Sequence, residues 1–154
     1  MKTLIIYDSQ FGNTEKIAQA IGSAFGDEAR VVRPTEVKLD ELKNVNLLIV
    51  GSPTQGGRPT PALQKFLDDI PSDGLKGIKV ATFDTRFLLK DQNFALRMLM
   101  KTIGYAADKI IKILVAKGGQ QVMPPEGFIV KGKEGPLAEG EMERADEWTK
   151  LIKI

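Results

Sequence analysis

The chain contains no cysteine and no histidine. The first absence rules out disulfides, thiol nucleophiles and thiolate metal sites. The second removes imidazole ligands, the histidine general base and the Ser-His-Asp arrangement. Any metal would have to rest on oxygen ligands. Aromatic residues are sparse, at 6%. None of them alternates with basic residues to form the stacking platform that single-stranded nucleic acid requires. No run approaches the ~20 apolar residues of a membrane span. The segment ahead of Tyr7-Asp8 is too short for a signal-peptide core. A cytoplasmic protein is therefore expected, with neither a nucleic-acid partner nor a membrane span.

What is present describes an ordinary globular domain. Its 154 residues suit a single domain. A chain of that length buries roughly 70% of its unfolded surface, so it needs no covalent staple. The net charge is +2 but unevenly spread. Residues 61–118 hold 10 Lys and Arg against 6 Asp and Glu, while residues 119–154 hold 5 against 7. A basic middle of this kind reads as a solvated helix face.

Apolar runs and amphipathic stretches alternate along the chain. Residues 2–7 predict a strand. Residues 14–25 place Ile17, Ala20, Ile21, Ala24 and Phe25 on one helical stripe. Val31-Val32 is a short second strand, and Asp40-Glu41-Leu42 one helical turn. Leu47–Val50 is an unbroken apolar run, as expected of a strand buried on both faces. Pro61 suits the first turn of a helix, where a missing N–H costs nothing. Ile78–Phe83 is a fourth strand, and Ala106–Ala116 a helix ending at Gly118-Gly119. A fifth strand is split around Pro124-Pro125. Residues 139–153 close the chain as a helix with Met142, Ala145, Trp148, Leu151 and Ile152 inward. Alternation of this kind predicts a parallel sheet with helices on both faces. Ligands then sit beyond the carboxyl ends of the strands.

Three loops follow such strand ends. The first is Ser9-Gln10-Phe11-Gly12-Asn13-Thr14. Strand, tight loop and helix in that order aim backbone N–H groups and hydroxyls at the positive end of a helix dipole, a place for a phosphate. The loop lacks the Gly-Lys-Ser/Thr ending of a Walker motif and is not a G-x-G-x-x-G fingerprint. A plain capped helix start would also use Asn13 or Thr14. The second loop, within Gly51–Thr60, carries Pro53, Gly56, Gly57 and Pro59. The third starts at Asp84-Thr85-Arg86-Phe87. Asp8 and Asp84 both follow strands and could hold Mg²⁺, although the acidic neighbour that such a site needs is missing beside Asp8.

The first two loops together resemble those of the flavodoxin family, small FMN-binding electron carriers. The resemblance covers nearly the whole chain. It implies a flavodoxin-like, doubly wound, five-stranded parallel sheet of order 2-1-3-4-5 in one α/β domain. The first loop is similar to the family's Thr/Ser-x-Thr-Gly-Asn-Thr phosphate signature, with Phe11 in place of a Thr. One hydroxyl is thereby lost, leaving Ser9, Thr14 and the amides of Gln10 to Thr14. Pro53, Thr54, Gln55, Gly56 and Gly57 match the segment that meets the flavin's redox edge. Proton uptake at N5 turns an acceptor into a donor, and a Gly peptide can turn its carbonyl toward it cheaply. Each ~1.4 kcal/mol of differential binding moves a one-electron couple by about 59 mV.

The third loop departs from the family, which usually has a Gly-rich, acidic loop with a stacked Tyr. Phe87 is the first candidate for stacking, with Phe94 or Tyr105 as substitutes; Phe87 could equally be a core or lid residue. Arg86 and Arg58 stand either near the flavin or in surface ion pairs. The resemblance implies an FMN-binding shuttle between redox partner proteins, a monomer or weak homo-oligomer. Two alternatives remain open: an FMN-dependent NAD(P)H or quinone oxidoreductase, and a flavodoxin-like binding module without cofactor.

Overall fold

A computed structural model describes residues 1–87, 95, 98 and 103–152. Six strands are present among them: β1 (Thr3–Tyr7), β2 (Ala29–Val32), β3 (Leu47–Pro53), β4 (Lys79–Phe87), β5 (Gln120–Gln121) and β6 (Glu126–Val130). The helices with both ends among the described residues are α1 (Asn13–Phe25), α2 (Pro61–Asp69), α3 (Ala106–Ala116) and α4 (Glu141–Leu151). The strands run parallel in the order β2-β1-β3-β4-β5, and β6 also pairs with β4. The fifth position of the sheet is thus filled by two short pieces. Pro124 and Pro125 lie between them, and neither has an N–H to give to β4. This matches the expected order and the expected split.

The continuous apolar strands work because side chains alternate between faces. Leu4, Ile6, Leu48, Val50 and Val80 pack beneath α2 and α3, against Leu63, Leu67, Ile110 and Leu114. Ile5, Leu47, Ile49, Ala81 and Phe83 pack on the other face, against Ile17 and Ile21 of α1 and Trp148 of α4. Phe83, Phe128 and Trp148 meet edge to face there, with centroids 6.0 to 6.4 Å apart. Gly51 makes this possible, since a Cβ at that position would lie 2.1 Å from the Phe83 ring.

Two expectations need correction. The fourth strand does not stop at Phe83. Asp84, Thr85, Arg86 and Phe87 continue β4, and residues 83–87 pair with 126–130 of β6. The polar run that suggested a loop is a strand whose backbone is satisfied by β6. On α4, Ala145 and Trp148 are buried, as is Ile152 just beyond it, but Met142 and Leu151 face solvent. Most of residues 87–104, Phe94 included, lie outside the described residues. Among the described residues no helix is long and apolar enough to cross a membrane.

Candidate functional site

The carboxyl ends of β1, β3, β4 and β6 surround a cleft of about 540 Å³. That volume suits a cofactor-sized ligand. Ser9, Gln10, Phe11, Asn13 and Thr14 line it from the first loop. Pro53, Thr54, Gln55 and Gly56 line it from the second, and Thr85 and Phe87 from the end of β4.

The first loop is built on Asp8. One carboxylate oxygen accepts from Ser9 N at 2.9 Å and from Arg33 Nη1 at 3.0 Å. The other accepts from the Thr60 hydroxyl at 2.5 Å. Asp8 therefore ties β1 to the end of β2 and to the start of α2. Ser9 Oγ accepts from Gly12 N at 3.0 Å, which closes the loop. Gly12 precedes α1 with φ of 91°, a left-handed conformation that suits glycine. Lys16 N then donates to Gly12 O. Among the described residues, the N–H groups of Gln10, Phe11, Asn13, Thr14 and Glu15 have no acceptor. The first turn of any helix leaves such donors; here they gather beside the cleft with the loop donors.

Two buried hydroxyls complete the cradle. Thr14 and Thr85 place their Oγ1 atoms 2.7 Å apart. They are 1% and 4% exposed, respectively. One mutual bond uses one of the two hydroxyl hydrogens and leaves the other for an acceptor in the cleft. The Ser9 hydroxyl, which only accepts inside the loop, also keeps its hydrogen. A set of donors with no matching acceptor is suited to an anion, and a phosphate is the fitting size and charge.

The second loop turns tightly. Gln55 N donates to Arg58 O at 2.9 Å, and Arg58 N to Gln55 O at 3.0 Å. Gly56 and Gly57, both at positive φ, occupy the turn between them. Gly57 faces Ile103, which a Cβ would meet at 2.1 Å, so it supports the turn without lining the main cleft. Gln55 Nε2 donates to Gln10 Oε1 at 2.6 Å and joins the two loops. Thr54 N donates to Thr85 O at 3.0 Å, and Thr54 Oγ1 accepts from Ala106 N, also at 3.0 Å. That threonine holds the start of α3 against the site.

Alternation along β4 sorts the residues read as a third loop. Thr85 and Phe87 point to the cleft; Asp84 and Arg86 do not line it. Asp84 is fully buried and is forked by Arg86 at 2.7 and 2.8 Å. It also accepts from Ala107 N at 3.0 Å. Burial raises the Asp84 pKa, and this outweighs the lowering by Arg86 and by the Ala107 N–H. The Arg86 guanidinium lies 3.6 Å from the Tyr105 ring centroid. Gly127 is also close to it, where a Cβ would come within 2.2 Å of the guanidinium. Arg86 is thus the half-buried ion-pair partner of a buried carboxylate, and Tyr105 is occupied by it. Phe87 and Phe11 remain as the large apolar side chains at the cleft, 43% and 42% exposed. The carboxylates of Asp8 and Asp84 are each engaged by their own arginine. Among the described residues no group of three or more acidic side chains could hold a metal ion.

Two lining residues escaped the sequence reading, Val130 and Lys133. They belong to β6 and the turn after it. The rule that ligands sit beyond strand carboxyl ends applied there too, and the glycines at 132 and 135 marked the turn.

A family model described as Flavodoxin matches residues 5–148. A flavodoxin of Aquifex aeolicus is 34% identical over 76 residues, covering 47% of this chain and 41% of that protein. One of Clostridium beijerinckii is 33% identical over 84 residues, 51% of this chain and 60% of that protein. The matches thus span about half the length of these curated relatives. A solved flavodoxin from the domain Archaea superposes with a TM-score of 0.76 at 23% identity, over 99% of this chain and 96% of that one.

Proposed function

The chain belongs to the flavodoxin family, whose members bind FMN, and we propose that its cleft holds one FMN non-covalently and that the protein passes single electrons between redox partner proteins. The observation that carries this reading is the cluster of unsatisfied N–H donors and paired threonine hydroxyls at one end of the cleft. A neutral ligand would leave such a cradle largely unused; the phosphate of FMN would use it.

The bound group supplies the redox chemistry, and the chain supplies binding and environment. The N–H groups of residues 10 to 15 and the hydroxyls of Ser9, Thr14 and Thr85 would hold the phosphate. The segment from Pro53 to Gly56 would lie along the ring. Gly56, at φ of 56°, is a residue type at which a peptide can reorient at little cost. Phe87, solvent-exposed at the end of a rigid strand, offers a flat apolar face to the ring, a contact worth roughly 1 kcal/mol beyond its area.

The deciding experiment is the visible spectrum of the purified protein before and after incubation with FMN and gel filtration. Retained flavin bands support the reading; a protein that stays colourless overturns it. NAD(P)H bleaching those bands without a partner protein would mark an oxidoreductase instead. Replacing both Ser9→Ala and Thr14→Ala should weaken FMN binding by tenfold or more, on the order of one lost charge-assisted hydrogen bond, with the circular dichroism unchanged. A double variant that binds as tightly as the parent would remove the phosphate assignment.

A further inference from the structure

The turn after β6 brings a lysine to the phosphate end of the cleft. Val130 bridges Leu137, Lys131 N donates to Pro136 O at 2.8 Å, and Ala138 N donates to Ile129 O at 2.8 Å. Gly135 N donates to Gly132 O at 3.1 Å, which leaves Lys133 and Glu134 at the tip. The tip is fixed against the first turn of α1. Asn13 Nδ2 donates to Glu134 O at 3.1 Å, and Asn13 is only 8% exposed. Gly135 lies against the same amide, where a Cβ would be 2.6 Å from it. The hairpin is therefore registered on the residue that opens the phosphate cradle, and Lys133 lines the cleft with Ser9, Asn13 and Thr14.

Lys133 differs from the arginines nearby. Arg33 is paired with Asp8 and Glu15, and Arg86 with Asp84. Lys133 has no ion pair among the described residues. Its ammonium is a mobile point charge on a flexible stem, suited to an exposed phosphate edge. A phosphate monoester carries about −1.5 to −2 charges at neutral pH, whereas a helix N-terminus offers only about half a positive charge.

Resting on the FMN reading above, we propose that Lys133 is a specificity-determining residue: it neutralises the flavin phosphate from outside the cradle and so selects phosphorylated flavin over riboflavin. It touches neither the ring nor the ribityl chain in this scheme. The contribution is screened by salt, because the lysine is exposed.

The test is a fluorescence-quenching titration of the full chain, freed of flavin, with FMN and separately with riboflavin, at low and high salt. For Lys133→Gln the FMN Kd should rise by roughly two- to fivefold at low salt. It should rise further for Lys133→Glu and stay near the parent value for Lys133→Arg. The riboflavin Kd should not move, and the FMN difference should shrink at high salt. An unchanged FMN Kd overturns the proposal, as does an equal loss for riboflavin. A parent protein that binds no FMN overturns the functional reading and this one with it. A parent that binds FMN while Lys133→Gln matches it overturns this one alone.

Discussion

Single residues carry constraints that composition conceals. Gly51 is a strand residue with no conformational need for glycine, and its role is steric. It lies directly under Phe83, and an added methyl would overlap that ring. Phe83 in turn packs edge to face with both Phe128 and Trp148, so it has nowhere to go. Gly51→Ala should cost about 1–3 kcal/mol, the usual range for overpacking a core. Urea unfolding would show this as a lower midpoint at unchanged slope, and an unchanged midpoint would mean the ring can shift. The donor cluster of the first loop was legible at this scale, because Ser9, Gly12, Asn13 and Thr14 lie in one stretch and their chemistry is local. Arg86 was not. Its neighbours are Asp84, Tyr105 and Gly127, and only the last two show that the guanidinium is held against the protein rather than free in solvent. Those two are distant in sequence and were joined to it by folding.

At the scale of elements, local pattern and tertiary pairing divide the credit. The split fifth strand could be read from Pro124-Pro125, since a missing N–H is a local fact. The overrun of β4 could not. Asp84-Thr85-Arg86 breaks the apolar run, and only pairing with β6 keeps those residues in the sheet. That same β6 is held by α4 through Glu141. Its carboxylate accepts from Ile129 N at 2.7 Å and from Arg144 Nε and Nη2 at 2.9 and 2.7 Å. Arg144 also pairs with Glu126 at 2.9 Å and lies over the Phe128 ring. Burial opposes ionisation of Glu141, but Arg144 and the Ile129 N–H together hold its pKa below the ordinary value. A lowered folded pKa contributes stability above the unfolded value and loses it as pH falls through the folded one. Asp84 has the opposite sign: its pKa is raised, so protonating it favours the folded state. Glu141 therefore makes stability fall on acidification through the carboxylate range, while Asp84 works against that loss. Glu141→Gln should cost about 1–3 kcal/mol at neutral pH and flatten that limb. Urea midpoints measured over a pH series would show it. Parallel curves for parent and variant would mean Glu141 titrates alike in both states.

For the whole molecule, the parallel sheet makes its two ends unequal. Every strand bordering the cleft contributes its carboxyl end, so one ligand would tie together residues 9–16, 53–58 and 131–136, which are far apart in the chain. The opposite end carries a separate groove of about 520 Å³, formed by residues such as Leu4, Arg30 and Val45. FMN bound only by the folded state stabilises it by mass action, about 2.7 kcal/mol at a hundredfold excess over Kd. For a chain of this length each kcal/mol raises the midpoint temperature by roughly 2–4 °C, so a shift on the order of 5–10 °C is expected. The local signature is sharper. Hydrogen exchange should slow with FMN in 9–16, 53–58 and 131–136, which the ligand would cover, and most at residues 10, 11 and 13–15, whose N–H groups now lack acceptors. It should change least at residues 27–30 and 39–45. Because opening of a loop costs less than global unfolding, these amides report the ligand's contacts before they report stability. Equal slowing at both ends would mean that FMN acts only through global stability. Slowing confined to the 27–45 end would move the site to the other groove.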